Sequence, residues 1–239
     1  MKNKMLGRVA GELTVIIAGV LVALWIEGWR QARTDAVVEQ EYLQRIEADL
    51  LADSSRFAER IVAEGRTAMS AEIAMRFAQD GWATGLDTVA VLKSYNFAGF
   101  INFLRLQSTT WDDLVSTGNL RILRDAEVRQ ALGAYHKSAT VQFLAELDDN
   151  RKERIWYRYR PALERYFPID FSNQLRLSDD EIARPLPAID FASLRRDPEV
   201  IAGLKAASGS AFIYGREIGT LAGENEHVLS LVRRARRSR

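Results

Sequence analysis

The first 160 residues of this chain contain no proline, and its five prolines, at 161, 168, 185, 187 and 198, share one window. Proline removes a backbone donor and clashes with the carbonyl four residues back, so its absence leaves a long stretch free to form helix. The side-chain pattern uses that freedom. Leu43, Ile46, Leu50, Phe57 and Ile61 recur at three, four or seven, the spacing of one helical face, while Glu41, Arg45, Asp49, Asp53 and Arg56 occupy other faces. This predicts a helix reaching about Glu64, then a second helical region over 66–107 broken near Gly81 and Gly85. Thr110-Trp111-Asp112-Asp113 reads as a capped start, with Gly118 placed to end that short helix. Asp125 caps a helix expected to continue to about Arg160, where Pro161 stops or kinks it. Asp197-Pro198, a cap followed by a first-turn proline, opens the last helix. The expected fold is all-α: an N-terminal transmembrane helix continuing into an elongated up-and-down helical bundle.

The transmembrane part of that expectation rests on "GELTVIIAGVLVALWIEGW", residues 11–29. From Leu13 to Ile26 there are fourteen residues without a charge, nine of them Leu, Ile or Val. Val9 to Trp29 as a helix would reach about 31 Å, against a hydrocarbon core of about 30 Å. Glu12 and Glu27 then fall near opposite interfaces, and Trp25 and Trp29 sit one turn apart at the outer headgroup level. Lys2, Lys4 and Arg8 precede the span and a mixed-charge flank follows, which places the N-terminus in the cytoplasm. The usual Ala-x-Ala cleavage pattern is missing, so the segment reads as a retained anchor rather than a signal peptide. The expected organisation is a short cytoplasmic segment at 1–8, the anchor at 9–29, a first bundle part at 30–160, a proline-containing connection at 161–197, and a last helix with an arginine-rich tail at 198–239.

"GELTVIIAGVLVALWIEGWRQ" followed by "EYLQRIEADLLAD" resembles the opening of a bacterial domain-of-unknown-function family of N-terminally anchored, single-pass membrane proteins. Members have a Gly-Glu-aliphatic span ending near a Trp and a following helix marked by a Tyr-Leu pair and spaced acids, here Tyr42, Leu43, Asp49 and Asp53. The stretch from Trp111 through Gly118 to Tyr135 resembles a second, looser signature. Trp25 stands where members often carry a polar residue. The resemblance implies an anchored helical protein and transfers no catalytic residue.

Small residues fall every fourth position in the last helix: Gly203, Ala207, Ala211, Gly215, Gly219 and Gly223. Such a row lets another helix approach closely, either within the subunit or at an interface that includes Gly215, Gly219 and Gly223. A second candidate surface is "RKERIWYRYRPALERYF", where Arg154, Trp156, Arg158 and Tyr159 mix cations with rings, suited to an anion or partner if not simply packed. A third is "RRARRSR" at the end. An up-and-down bundle would return Arg233, Arg234, Arg236 and Arg237 to the membrane surface, where they and the tryptophans Trp25 and Trp29 would meet lipid.

The chemistry-bearing residues are sparse. There is no cysteine, which excludes disulfides, thiolate zinc sites and a Cys nucleophile. His136 and His227 are the two histidines. Glu224-x-x-His227 has metal-ligand spacing, but residue 133 is glycine, so the partner motif of a di-iron bundle is missing. Lys plus Arg number 33 against 32 acids, a balance unsuited to general nucleic-acid binding. No cofactor, metal site or catalytic residue is expected. The expected function is non-catalytic: a periplasmic helical domain on the bacterial inner membrane that binds or organises envelope components. Its expected partners are membrane lipid and a second copy or an envelope protein. An envelope enzyme using scattered carboxylates with His136 or His227, or a sensor acting through a membrane partner, are the alternatives.

Overall fold

The computed structural model describes the backbone of residues 2–166 and 189–238, and side chains from residue 17 onward. The expected segment 1–8, the first part of the expected span and most of the proline-containing connection fall outside the described side chains.

One helix dominates. α1 (Lys2–Asp80) is unbroken over 79 residues, about 118 Å at 1.5 Å per residue. The expected interruption near Glu64 does not occur: Gly65 lies within the continuous helix, flanked by Glu64 and Thr67, both buried on the seam. Gly81 and Gly85 do end the helix: both take positive φ, and a 3₁₀ turn lies between them. α2 (Thr88–Ala98) follows, capped by Asp87, and the chain then runs without regular structure to α3 (Thr109–Ser116). Gly118 takes φ 71° just after α3, as its placement suggested. Asp125 caps α4 (Ala126–His136) through the N–H groups of Glu127 and Val128. That helix does not reach Arg160. Ser138 caps a new one, α5 (Ala139–Arg151), by accepting from the Val141 N–H.

Beyond α5 the chain widens into a π-helical stretch, Lys152–Tyr159, and re-enters α-helix as α6 (Arg160–Glu164). Pro161 therefore neither stops nor starts a helix. It has no N–H to give and cannot tolerate a tight carbonyl one turn back. The wider register just before it, in which the Arg160 N–H reaches Ile155 O, makes room for the ring. After a short α7 (Phe191–Leu194), α8 (Pro198–Arg237) is capped by Asp197 and runs antiparallel to α1. Pairings along the two confirm the direction: Arg195 with Ala78 O and Gln79 O, Arg60 beside the Tyr214 ring, Asn225 with Leu50 O, and Arg233 with Glu47.

The described residues form an all-α bundle in which α1 and α8 are the long members and shorter helices complete the remaining sides. Buried positions on α1 include 39, 43, 46, 50, 53, 57, 60, 64, 67, 71 and 74, the alternating three-and-four spacing of a coiled-coil seam, with Tyr42 and Phe77 buried beside that row. The apolar members form two cores. Leu43, Leu50 and Phe57 pack with Leu132, Tyr135, Ile218 and Val232. Ala71, Ala74 and Phe77 pack with Tyr95, Ile155, Tyr159 and Leu204. Between them the seam turns polar, and Ile61, expected on the buried face, is 40% exposed while Arg60 and Glu64 are buried.

Candidate functional site

Three features stand apart from ordinary packing, and the first is the start of α1. Residues 17–34 leave the bundle and are exposed on every side. Ile17, Val20, Leu21, Val22, Leu24, Trp25, Ile26 and Trp29 are each more than half exposed, Trp25 at 73%. Arg33 lies over the Trp29 ring and Glu27 pairs with Arg30. Among the described residues no helix is long and apolar enough to cross a membrane. Residues 17–29 supply about 20 Å of apolar helix, and the side chains of 9–16, the rest of the expected span, lie outside the described residues.

The second feature is the polar layer between the two cores. Arg151 from α5 is 1% exposed and grips Glu64 with both terminal nitrogens, at 2.9 and 2.8 Å. Arg60 reaches the same carboxylate at 2.6 Å and also donates to Asn102 O. The two guanidiniums lie 5.0 and 4.6 Å from the centre of the Tyr214 ring. Tyr214 Oη donates to Asp148 Oδ2 at 2.9 Å and accepts from the Leu104 N–H. Burial pushes the Asp148 carboxyl up to about 6 despite the cations nearby, and it lowers the basicity of Arg60. A fork-shaped, permanently charged guanidinium suits such a site, since both oxygens of Glu64 are satisfied at once.

A related set lies a few turns away. Asp53 is fully buried, accepts from Gln107 N and Tyr135 Oη, and burial raises its pKa. Asn225 donates to Tyr135 Oη and Leu50 O. Asp49 accepts from Thr110 N, and Glu39 from Arg124 N. The acids expected on outer faces of α1 thus include groups that hold the irregular segment and its neighbours in place. The reading from apolar spacing alone missed Arg60, Glu64, Arg151 and Asp53, although each acid or base on α1 continues the seam's spacing.

The third feature is the distribution of the sequence-derived candidates. Arg154, Trp156 and Arg158 are exposed; Arg160 lies 4.2 Å over the Trp156 ring and Arg158 pairs with Glu153. Tyr159 does not belong with them: it is fully buried, donates to Tyr95 O at 2.7 Å and packs on Gly203. The small-residue row is also divided. Gly203, Ala207 and Ala211 are buried and a Cβ on Gly215 would meet Glu64 Cβ at 3.6 Å, but Gly219 and Gly223 are exposed with open space around them. The row advances four residues at a time while the seam averages 3.5, so it rotates out of the contact. Close packing within the chain accounts only for its first part.

Arg233 and Arg236 both pair with Glu47, and Arg234 lies 3.8 Å from Glu127. The tail is at the end of the bundle from which residues 17–34 emerge, as expected of an antiparallel return. Glu47, however, is 18 residues beyond Trp29 on one continuous helix, about 27 Å. That separation along the helix exceeds a Debye length of about 8 Å. His136 stacks on Trp111 with ring centres 5.1 Å apart, and burial lowers its pKa. His227 is exposed on α8, and Glu224 accepts from Thr140 Oγ1. Among the described residues no three His, Asp or Glu side chains converge as a metal site would require.

Compared with protein-family models, curated proteins and solved structures, the chain matches none.

Proposed function

We propose that this chain is a non-catalytic, membrane-anchored helical protein whose bundle binds or organises envelope components from the periplasmic side. The observation that carries the reading is the bare apolar start of α1. A helix apolar on all faces is stable when buried in protein or in lipid, and no described part of the chain covers residues 17–29. Ile17, Val20, Leu21, Val22, Leu24 and Ile26 together favour insertion by roughly 2 to 4 kcal/mol on the translocon scale. The helical backbone continues upstream through residues 2–16, so Val9 to Trp29 supplies the length of a span. The basic residues Lys2, Lys4 and Arg8 favour a cytoplasmic N-terminus, and the resemblance of 11–31 and 41–53 to an anchored family points the same way.

A periplasmically active reporter fused after Arg239 is expected to be active, with the protein sedimenting with inner membranes and resisting carbonate extraction. Replacing Leu21 and Leu24 with Arg should release it to the soluble fraction. Activity from a cytoplasm-only reporter at the same position, or full extraction by carbonate, refutes the reading. The enzyme alternative is tested separately: loss of a cellular phenotype on combining His136→Ala with His227→Ala would favour it.

A further inference from the structure

The segment between α2 and α3 lies against α1 and leaves a groove of about 980 Å³, lined among others by Arg56, Arg60, Val62, Arg66, Phe103 and Arg105. Its walls are part apolar, with Val62 59% and Phe103 44% exposed. Its charge is lopsided: four arginines against one acid, Glu59. Arg56 is shared with Asp53 and Gln107, and Arg60 with Glu64. Arg66 and Arg105 are exposed and make no ion pair or hydrogen bond among the described residues. Arg60 adds an independent sign. It lines the groove at 6% exposure with its guanidinium held by Glu64 and Asn102 O, so its positive charge is fixed in the groove wall.

We propose that this groove is a binding site for a short acidic peptide segment of a partner protein, its carboxylates meeting Arg66 and Arg105 and its apolar side chains lying on Val62 and Phe103. Size supports a chain over a single oxyanion. Arg56 to Arg66 spans ten residues of α1, about 15 Å, the length of four to five extended residues at about 3.3 Å each. Position excludes the bilayer as the source of negative charge. Arg60 is 31 residues beyond Trp29 in the same helix, about 46 Å, several Debye lengths from headgroups at that level. The fixed backbone of the segment supplies a preformed wall: Arg60 holds Asn102 O, Tyr214 holds Leu104 N, and Asp53 holds Gln107 N.

The test is fluorescence anisotropy on the full chain in detergent, with a fluorescein-labelled pentapeptide alternating glutamate and valine. A lysine–valine peptide and inorganic phosphate are the comparison probes. The glutamate peptide should bind and the lysine peptide should not. Arg66→Gln with Arg105→Gln should weaken binding about tenfold, as expected for two exposed ion pairs, without moving the thermal melt. Arg76→Gln with Arg121→Gln, exposed arginines outside the groove, should leave it unchanged. Equal binding by the two double variants, binding of both peptides alike, or no binding at millimolar peptide overturns the proposal. So does displacement by phosphate at the peptide's own concentration, which would mark a small-anion site. None of these readouts depends on where the chain resides, so failure here and failure of the anchor are separable.

Discussion

Gly203→Ala and Gly219→Ala make the same chemical change on the same helix and should have opposite effects. A Cβ at Gly203 would stand 2.3 Å from Tyr159 Cδ2 and 2.5 Å from its Cβ. The ring is not free to move away, because it is fully buried and its hydroxyl is tied to Tyr95 O at 2.7 Å. Overpacking a filled core costs about 1 to 3 kcal/mol, and this contact belongs at the upper end. Alanine returns about 1 kcal/mol of helix propensity, leaving a net loss of about 1 to 2 kcal/mol. At Gly219 nothing lies within 4 Å, so only the propensity gain remains. A domain of this size shifts its Tm by about 2–4 °C per kcal/mol. Thermal and urea denaturation followed by circular dichroism should therefore show Gly203→Ala falling by about 2–8 °C and Gly219→Ala rising by about 2–4 °C. A neutral Gly203→Ala would mean that the α8 seam is not where it is described. A destabilising Gly219→Ala whose effect grows with protein concentration would show that a second copy covers that face.

Arg151→Met strands the buried Glu64 carboxylate with Arg60 alone and should cost about 3 kcal/mol or more in urea denaturation; a single-variant loss under about 1 kcal/mol would contradict the buried pair. Asp148, held up to about 6 from 3.8 in the folded chain, keeps a proton between those values that the unfolded chain has released. Its contribution to stability should therefore decline as pH rises from about 4 to about 6 and stay level above. Asp148→Asn should abolish that decline and be about 1 to 2 kcal/mol more stable at pH 7, a figure reduced for partial exposure. Identical pH slopes in the two proteins would remove Asp148 from the account.

Much of the helix map was legible because proline and cap residues act locally. Asp125 and Asp197 cap where their sequence context places them, and Gly81, Gly85 and Gly118 take the positive φ that suits glycine. The seam was legible only in part, because its polar members were counted as surface. Asp53, Arg60 and Glu64 keep the three-and-four spacing that Leu50 and Phe57 announce, and a pattern search confined to apolar residues steps over them. Arg151 gave no local signal, since its partners lie 87 residues earlier in the chain. The helix break at Lys137 and the passage through Pro161 were likewise invisible, the first set by the Ser138 cap and the second by a change of helical register.

Because α1 has no joint between the exposed segment and the groove, the two are phase-locked. Each residue of a helix advances about 100° and 1.5 Å, so Trp29 and Arg60 hold a fixed azimuth about the axis as well as a fixed separation. Whatever grips residues 17–29 therefore also aims the face that carries Arg56, Arg60 and Arg66. One residue inserted between Gln31 and Asp35 would swing that face by about 100°, while seven would lift it by about 10 Å and turn it by only about 20°. The long helix sets bearing and height together, as a keyed shaft does.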